Sequence, residues 1–191
     1  MKESHSPTLT NQTAGEFQPD RKRKSFMASD LSPPAAHVTV VLFTDEGANL
    51  GPAQRPKVQD DLHWQRILSP LSYDVTRKHA TERPFSAPGY DRKTPGIYRC
   101  ICCGNALFPS GTKFDSGTGW PSFWAPMAKE NIALREDLSY GMRRTEVLCT
   151  LCDAHLGHLF NDGPPPTGLR YCINMAALSF VPFPANREDL P

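Results

Sequence analysis

No apolar run in this 191-residue chain approaches the roughly 20 residues needed to cross a bilayer. The N-terminus also lacks the apolar core of a secretory signal. Neither a membrane-spanning nor an exported protein is expected, and the cytoplasm is the expected compartment. Charge of one sign is missing as well. With 21 basic and 20 acidic residues the net charge is +1, so no general field draws in nucleic acid or an anionic membrane, and neither is an expected partner. Sustained helical periodicity is confined to one stretch, whereas 19 prolines and 13 glycines mark a turn-rich, strand-based fold. No internal repeat is visible beyond two CxxC units.

Residues 1–57 are rich in Ser, Thr, Pro and charged side chains and read as a disordered extension. A single domain over 58–185 and a short tail at 186–191 complete the expected organisation. Within the extension, Arg21-Lys22-Arg23-Lys24 is a nuclear signal, an anionic-surface contact or solvated charge. Nuclear and mitochondrial locations are the alternatives to the cytoplasm; Glu3, Glu16 and Asp20 weigh against a transit peptide, which is usually poor in acids. His37 to Asp45, HVTVVLFTD, is β-branched enough for a strand, with no partner evident.

Asp60 to Leu68 suits a short amphipathic helix, with apolar positions at Leu62, Trp64, Ile67 and Leu68 and with Trp64 as core. Ser69-Pro70 supplies the N-cap and first position of a second helix through about His79. From Pro84 onward short apolar runs alternate with turn residues. Candidate strands are Gly96–Arg99, Leu107–Phe108, Lys113–Asp115, Met142–Leu148, His158–Phe160, Tyr171–Asn174 and Leu178–Val181. The fold class is therefore mainly β and antiparallel, led by short N-terminal helices.

Four of the six cysteines form two pairs, Cys100/Cys103 and Cys149/Cys152. Two CxxC turns supply the four soft ligands of a tetrahedral zinc site. A site filled by four protein ligands keeps no open position, so one structural ion is expected, joining two distant hairpins. A redox CxxC would open a helix in a βαβ unit, and neither pair has those surroundings. Cys102 is spare: a packing residue, an exposed thiol or a substitute ligand.

Cys172 stands outside any pair. An attacking cysteine needs positive charge or a base nearby, and Arg170 would share its strand face, while His155 and His158 offer a proton donor. A buried strand cysteine remains the alternative.

The runs KFDSGTGWPSF (Lys113–Phe123), EVLCTLCDAHLGHLFNDGP (Glu146–Pro164) and TGLRYCINMAAL (Thr167–Leu178) closely resemble the B-type methionine sulfoxide reductases. ILSPLSYDVTRKHATERPF, from Ile67 to Phe85, resembles that family's helical lead-in. The resemblance extends over about Leu62 to Pro182. It implies two antiparallel sheets in a β-tent-like arrangement with a distal structural zinc. The implied activity is reduction of methionine-R-sulfoxide, in proteins or as the free amino acid, by a monomeric repair enzyme. On this chain Cys172 matches the catalytic thiol and Trp120 the aromatic that receives the substrate methyl. His155, His158 and Asn174 match polar residues around the sulfoxide, and Arg170 and Asp162 match supporting positions.

The sequence departs from that family's pattern twice. Many members carry a resolving cysteine where this chain has Thr118, which closes the usual internal disulfide route. The residue after Asn174, commonly small, is Met175. Regeneration by thioredoxin or another external thiol is expected, with Cys102 as the alternative resolving residue.

Overall fold

The structure, a computed structural model, describes residues 36–58 and 60–184. The basic run at Arg21–Lys24 and the tail at 186–191 lie outside the described residues. No helix among them is long and apolar enough to cross a membrane.

The described residues begin with a hairpin, β1 (His37–Phe43) and β2 (Asn49–Pro56), which pair antiparallel with each other. The strand expected near His37 thus has its partner in NLGPAQRP. Two prolines and a glycine hid that partner, and they are tolerated because β2 is bonded on one side only. The expected disordered character of residues 1–57 does not extend over 37–56. Val40 is fully buried, and Asn131, also fully buried, locks the hairpin in place. Its Oδ1 accepts from Val41 N at 2.7 Å, and its Nδ2 donates to Val41 O at 2.9 Å and Ala106 O at 2.8 Å.

Two helices follow. In α1 (Asp61–Ile67) the Asp60 side chain accepts from His63 N, and Trp64 is buried under the Arg77 guanidinium. The expected amphipathic stripe is narrower than the sequence suggested. Leu62 and Ile67 face solvent, so α1 is held mainly by its tryptophan. In α2 (Pro70–Lys78) the Ser69 hydroxyl accepts from Ser72 N, Pro70 occupies the first turn, and His79 ends the helix in the left-handed region.

The remaining strands are β3 (Gly96–Cys100), β4 (Ala106–Pro109), β5 (Lys113–Phe114), β6 (Ser122–Phe123), β7 (Ile132–Asp137), β8 (Arg144–Cys149), β9 (His155–Phe160), β10 (Arg170–Ile173) and β11 (Leu178–Pro182). They form two antiparallel sheets, one of six strands in the order β5-β6-β10-β9-β8-β7 and one of three in the order β11-β3-β4. The mainly β, antiparallel class with two sheets in the domain is as expected. Strands β6 and β7 were not anticipated, because β6 is two residues long and β7 ends in the charged run Arg135-Glu136-Asp137.

Aromatic rings fill the space between these sheets. Phe108 of β4 stacks on Phe123 of β6 at 4.5 Å, Tyr98 of β3 meets Phe123 edge-on at 5.0 Å, and Tyr171 of β10 lies 5.5 Å from Phe108. Tyr171 pairs with both Phe123 and Leu159, so by alternation Cys172 and its neighbours turn to the other face of the sheet.

Asn131→Ala removes three hydrogen bonds and leaves buried backbone groups without partners. It is expected to cost about 2–3 kcal/mol, lowering Tm by about 5–10 °C in calorimetry, with residues 37–56 cut by protease before the rest of the described residues.

Candidate active site and metal centre

Strand register assembles a polar row across five strands of the larger sheet. Cys172 of β10 lies opposite Ser122 of β6 and opposite His158 of β9; His158 lies opposite Glu146 of β8, and Glu146 opposite Arg135 of β7. Residues directly opposite carry their Cβ atoms about 4.5–5.5 Å apart on one face, so the thiol and imidazole are neighbours by construction.

His155 joins this face through a β-bulge. Plain alternation would put two histidines three residues apart on opposite faces. The register shifts between Val147 and Leu148, however, so that Val147 pairs with Gly157 and Leu148 with His155, leaving Leu156 as the extra residue. Leu156 is fully buried in the core. Its carbonyl accepts from both the backbone N and the side-chain Nδ2 of Asn174, at 2.8 and 3.0 Å. Gly157 allows the close approach of β9 to β10, because a Cβ there would collide with the Cys172 carbonyl.

A cleft of about 150 Å³ opens on this face, lined by Cys172, Trp120, His158, Asn174, Arg144 and Phe160 among others. Trp120 is held by its Nε1 donating to Glu82 O at 3.1 Å. His158 Nε2 lies 2.8 Å from Asp137 Oδ2, which also accepts from Arg144. His155 does not line this cleft. It sits behind His158, ring centroids 5.5 Å apart, with Nδ1 2.6 Å from Glu146 Oε1 and with Nε2 buried without a partner among the described residues.

Asp162 and Arg170 also lie outside the cleft, paired through two hydrogen bonds of 2.8 and 2.9 Å, with the guanidinium over the Phe160 ring. Met175 packs against the core instead of lining the cleft, and its N donates to Glu82 Oε1.

Arg170 was expected to favour the Cys172 thiolate. Burial pushes the Cys172 thiol above its ordinary value, and the opposing pull of Arg170, Thr118 and Ser122 does not offset it. Two of the five N–H donors of Arg170 are directed at Asp162, so its charge is shared between that carboxylate and the thiol. Burial also favours neutral His155, outweighing the pull of Glu146 in the other direction. For Glu146 burial acts to raise the pKa, yet hydrogen bonds from His79, Arg135 and His155 together bring it below the usual carboxylate value.

Two residues that the sequence reading did not single out organise the site. Glu82 accepts from Met175 N and Ala176 N, while its own N donates to Asn174 Oδ1. Glu146 receives His79, His155 and Arg135. Their signal was an acid inside an otherwise apolar or structured run, TERPF and TEVLC, which acquires meaning only when the acid proves to be 3% or 4% exposed.

The four paired cysteines meet at the junction of the two sheets. Cys100 ends β3, Cys149 ends β8, and all four sulfurs lie within 4.8 Å of one another. Cys100 and Cys152 Sγ are 3.7 Å apart, and Cys103 and Cys149 Sγ 3.6 Å. A tetrahedral ion with sulfur bonds of about 2.3 Å requires edges of about 3.8 Å, so the group could hold a metal. Asn105 Nδ2 donates to Cys149 Sγ, the kind of supporting contact that thiolate ligands receive.

A SelR domain model matches residues 68–182, which is more than half of the chain. The chain belongs to the B-type methionine sulfoxide reductase family. Relatives named peptide methionine sulfoxide reductase MsrB include one from Herminiimonas arsenicoxydans, 54% identical over 132 residues, covering 69% of this chain and 96% of the relative. One from Pseudomonas syringae pv. syringae is 59% identical over 128 residues, covering 66% and 97%. One from Methanosarcina barkeri is 50% identical over 128 residues, covering 67% and 90%. The B-type reductase match spans both the cleft and the four cysteines.

Alkylation of Cys172 by iodoacetamide, followed in a Cys102→Ser background, is expected to accelerate with pH and reach half its maximum above about 8.5, the ordinary thiol value. Arg170→Met is expected to move that midpoint higher. A midpoint below neutrality would contradict the environment described.

Proposed function

We propose that this chain reduces methionine-R-sulfoxide, in proteins and as the free amino acid, through the thiol of Cys172. The observation that carries the reading is the cleft itself, where the strand thiol, an imidazole fixed by an acid, an amide and an indole line one cavity of about 150 Å³.

In the first step Cys172 Sγ attacks the sulfoxide sulfur. The S–O bond of the substrate breaks, oxygen passes to Cys172 as a sulfenic acid, and methionine leaves; the substrate gains the two electrons that the thiol loses. Bare oxide is a poor leaving group, so protonation of the sulfoxide oxygen assists. His158 suits that transfer because Asp137 on Nε2 fixes its ring and leaves Nδ1 for proton exchange. His155, behind it, orients the pair. Since burial holds Cys172 as a thiol, its proton can travel to the departing oxygen within the same step. Trp120 offers an apolar wall for the substrate methyl, and an amide proton of Asn174 not directed at Leu156 is available to the oxygen. Asp162 and Arg170 support the end of β10 from outside the cleft.

Regeneration requires an external thiol, such as thioredoxin. That thiol attacks the sulfenic sulfur, an S–S bond forms and water leaves. A second reductant thiol then resolves the mixed disulfide and restores Cys172. Thr118 touches Cys172 and hydrogen-bonds Ser116, so the side chain placed to resolve the sulfenic acid is a hydroxyl. Cys102 lies in the Cys100–Cys103 turn and does not line the cleft.

Cys100, Cys103, Cys149 and Cys152 would hold one zinc ion. With four thiolates it supplies no open position for catalysis; its chemistry is to tie β3 and β8 together. Action away from membranes and nucleic acid fits the near-zero net charge, and the reading is of a cytoplasmic monomer.

Assayed with the separated epimers and dithiothreitol, the wild type is expected to turn over R-sulfoxide and leave S-sulfoxide unreduced. Cys172→Ser should lose at least about a thousandfold of that rate while elemental analysis still finds one zinc per chain. Turnover of the S epimer alone, or an active Cys172→Ser, would overturn the reading.

A further inference from the structure

We propose that His79, Glu146 and His155 form a second metal site, which takes a divalent transition cation through two imidazole nitrogens and one carboxylate oxygen and, when filled, slows the reductase. Nδ1 of His79 and Nδ1 of His155 lie 2.7 and 2.6 Å from the same atom, Oε1 of Glu146. The three donor atoms all fall within 4.8 Å of one another. A tetrahedral cation with bonds of about 2.0–2.2 Å to nitrogen and oxygen needs donors about 3.3–3.6 Å apart, so each imidazole must draw back from Oε1 by up to about 1 Å to admit one. The nitrogens that now meet Oε1 become ligands once each ring carries its proton on Nε2.

The three donors come from three elements, the end of α2, β8 and β9, so the fold and not a flexible loop sets their convergence. Arg135 holds the other Glu146 oxygen, Oε2, at 2.8 Å, which leaves Oε1 as the one available. Entry is open. The His79 side chain is 50% exposed, and a cleft of about 700 Å³ gives onto all three residues. The donors are also in the right form, because Glu146 is held ionised and His155 neutral. Two imidazoles and one carboxylate suit zinc, cobalt or nickel better than magnesium or calcium. This set shares no residue with the four-cysteine group and leaves coordination positions facing the cleft.

The effect on turnover rests on the reductase reading above. A dication on His155 stands beside His158, whose ring centroid is 5.5 Å away, and disfavours the passage of a proton through that imidazole which the proposed oxygen transfer uses.

The test is a Co²⁺ titration of Cys172→Ser protein carrying its four-cysteine metal. One further equivalent is expected, with d–d absorption but without the sulfur-to-cobalt charge-transfer band that a thiolate ligand gives. His79→Asn keeps a residue tolerant of the left-handed backbone at that position and should weaken this binding at least about tenfold. In the wild type, with thioredoxin as reductant, saturating Co²⁺ should lower R-sulfoxide turnover at least about tenfold, while the same Co²⁺ should leave His79→Asn within about twofold of that variant's own metal-free rate. The proposal is overturned by the absence of a further equivalent, by a charge-transfer band, by equal affinity in His79→Asn, or by turnover that saturating Co²⁺ leaves intact. If the wild type shows no turnover before cobalt is added, the reductase reading fails, and the cobalt spectrum still decides whether the site exists.

Discussion

The bulge at Leu156 is the constraint on which the candidate site depends. One extra residue in β9 sends Leu156 into the core and lets His155 and His158 share a face that simple alternation would deny them. An extra residue leaves a backbone carbonyl without its ladder partner, and burying it unpaired would cost about 1–3 kcal/mol. Asn174 removes that penalty with two donors, and Glu82 N in turn occupies the Asn174 acceptor. A residue proposed to meet the sulfoxide oxygen is therefore also what makes the strand geometry tenable. Because Asn174 lies two residues beyond Cys172, the same contact fixes the end of β10 that carries the thiol.

Two layers of polar contact then set the chemistry. Glu82 gathers the end of the helical lead-in, Trp120 and the start of the turn after β10. Glu146 gathers the end of α2, β7 and β9. Both acids are buried and fully engaged, so the side chains they hold are positioned before any substrate arrives, which reduces the reorganisation left to the reaction. Cys172 itself stays a thiol in the resting protein, since burial outweighs its cationic neighbour. A protonated resting thiol is protected from adventitious oxidation and, in the proposed step, brings the proton for the departing oxygen.

Much of this was legible in the chain because its signals are local. The Asp60 and Ser69-Pro70 caps located two helices, turn residues bounded most strands, and CxxC spacing placed the four cysteines. Cys172 and His158 stood out from the residues alone, Trp120 and Asn174 through the family resemblance, and all four line one cleft. What the sequence hid depends on contacts between distant segments. The hairpin partner Asn49–Pro56 carries breakers that only an edge strand accepts. The bulge has no composition of its own. The burial of Glu82 and Glu146 is decided by segments far from each in sequence, and so is the burial that outweighs Arg170 at Cys172.

The proposed route from thiol to sulfenic acid, with no internal thiol to resolve it, is tested most directly by intact and peptide mass spectrometry after one equivalent of R-sulfoxide without reductant. The predicted product carries one added oxygen, trapped by dimedone on Cys172, with Cys102 unmodified. A Cys102–Cys172 disulfide, or oxygen found anywhere but Cys172, would contradict it.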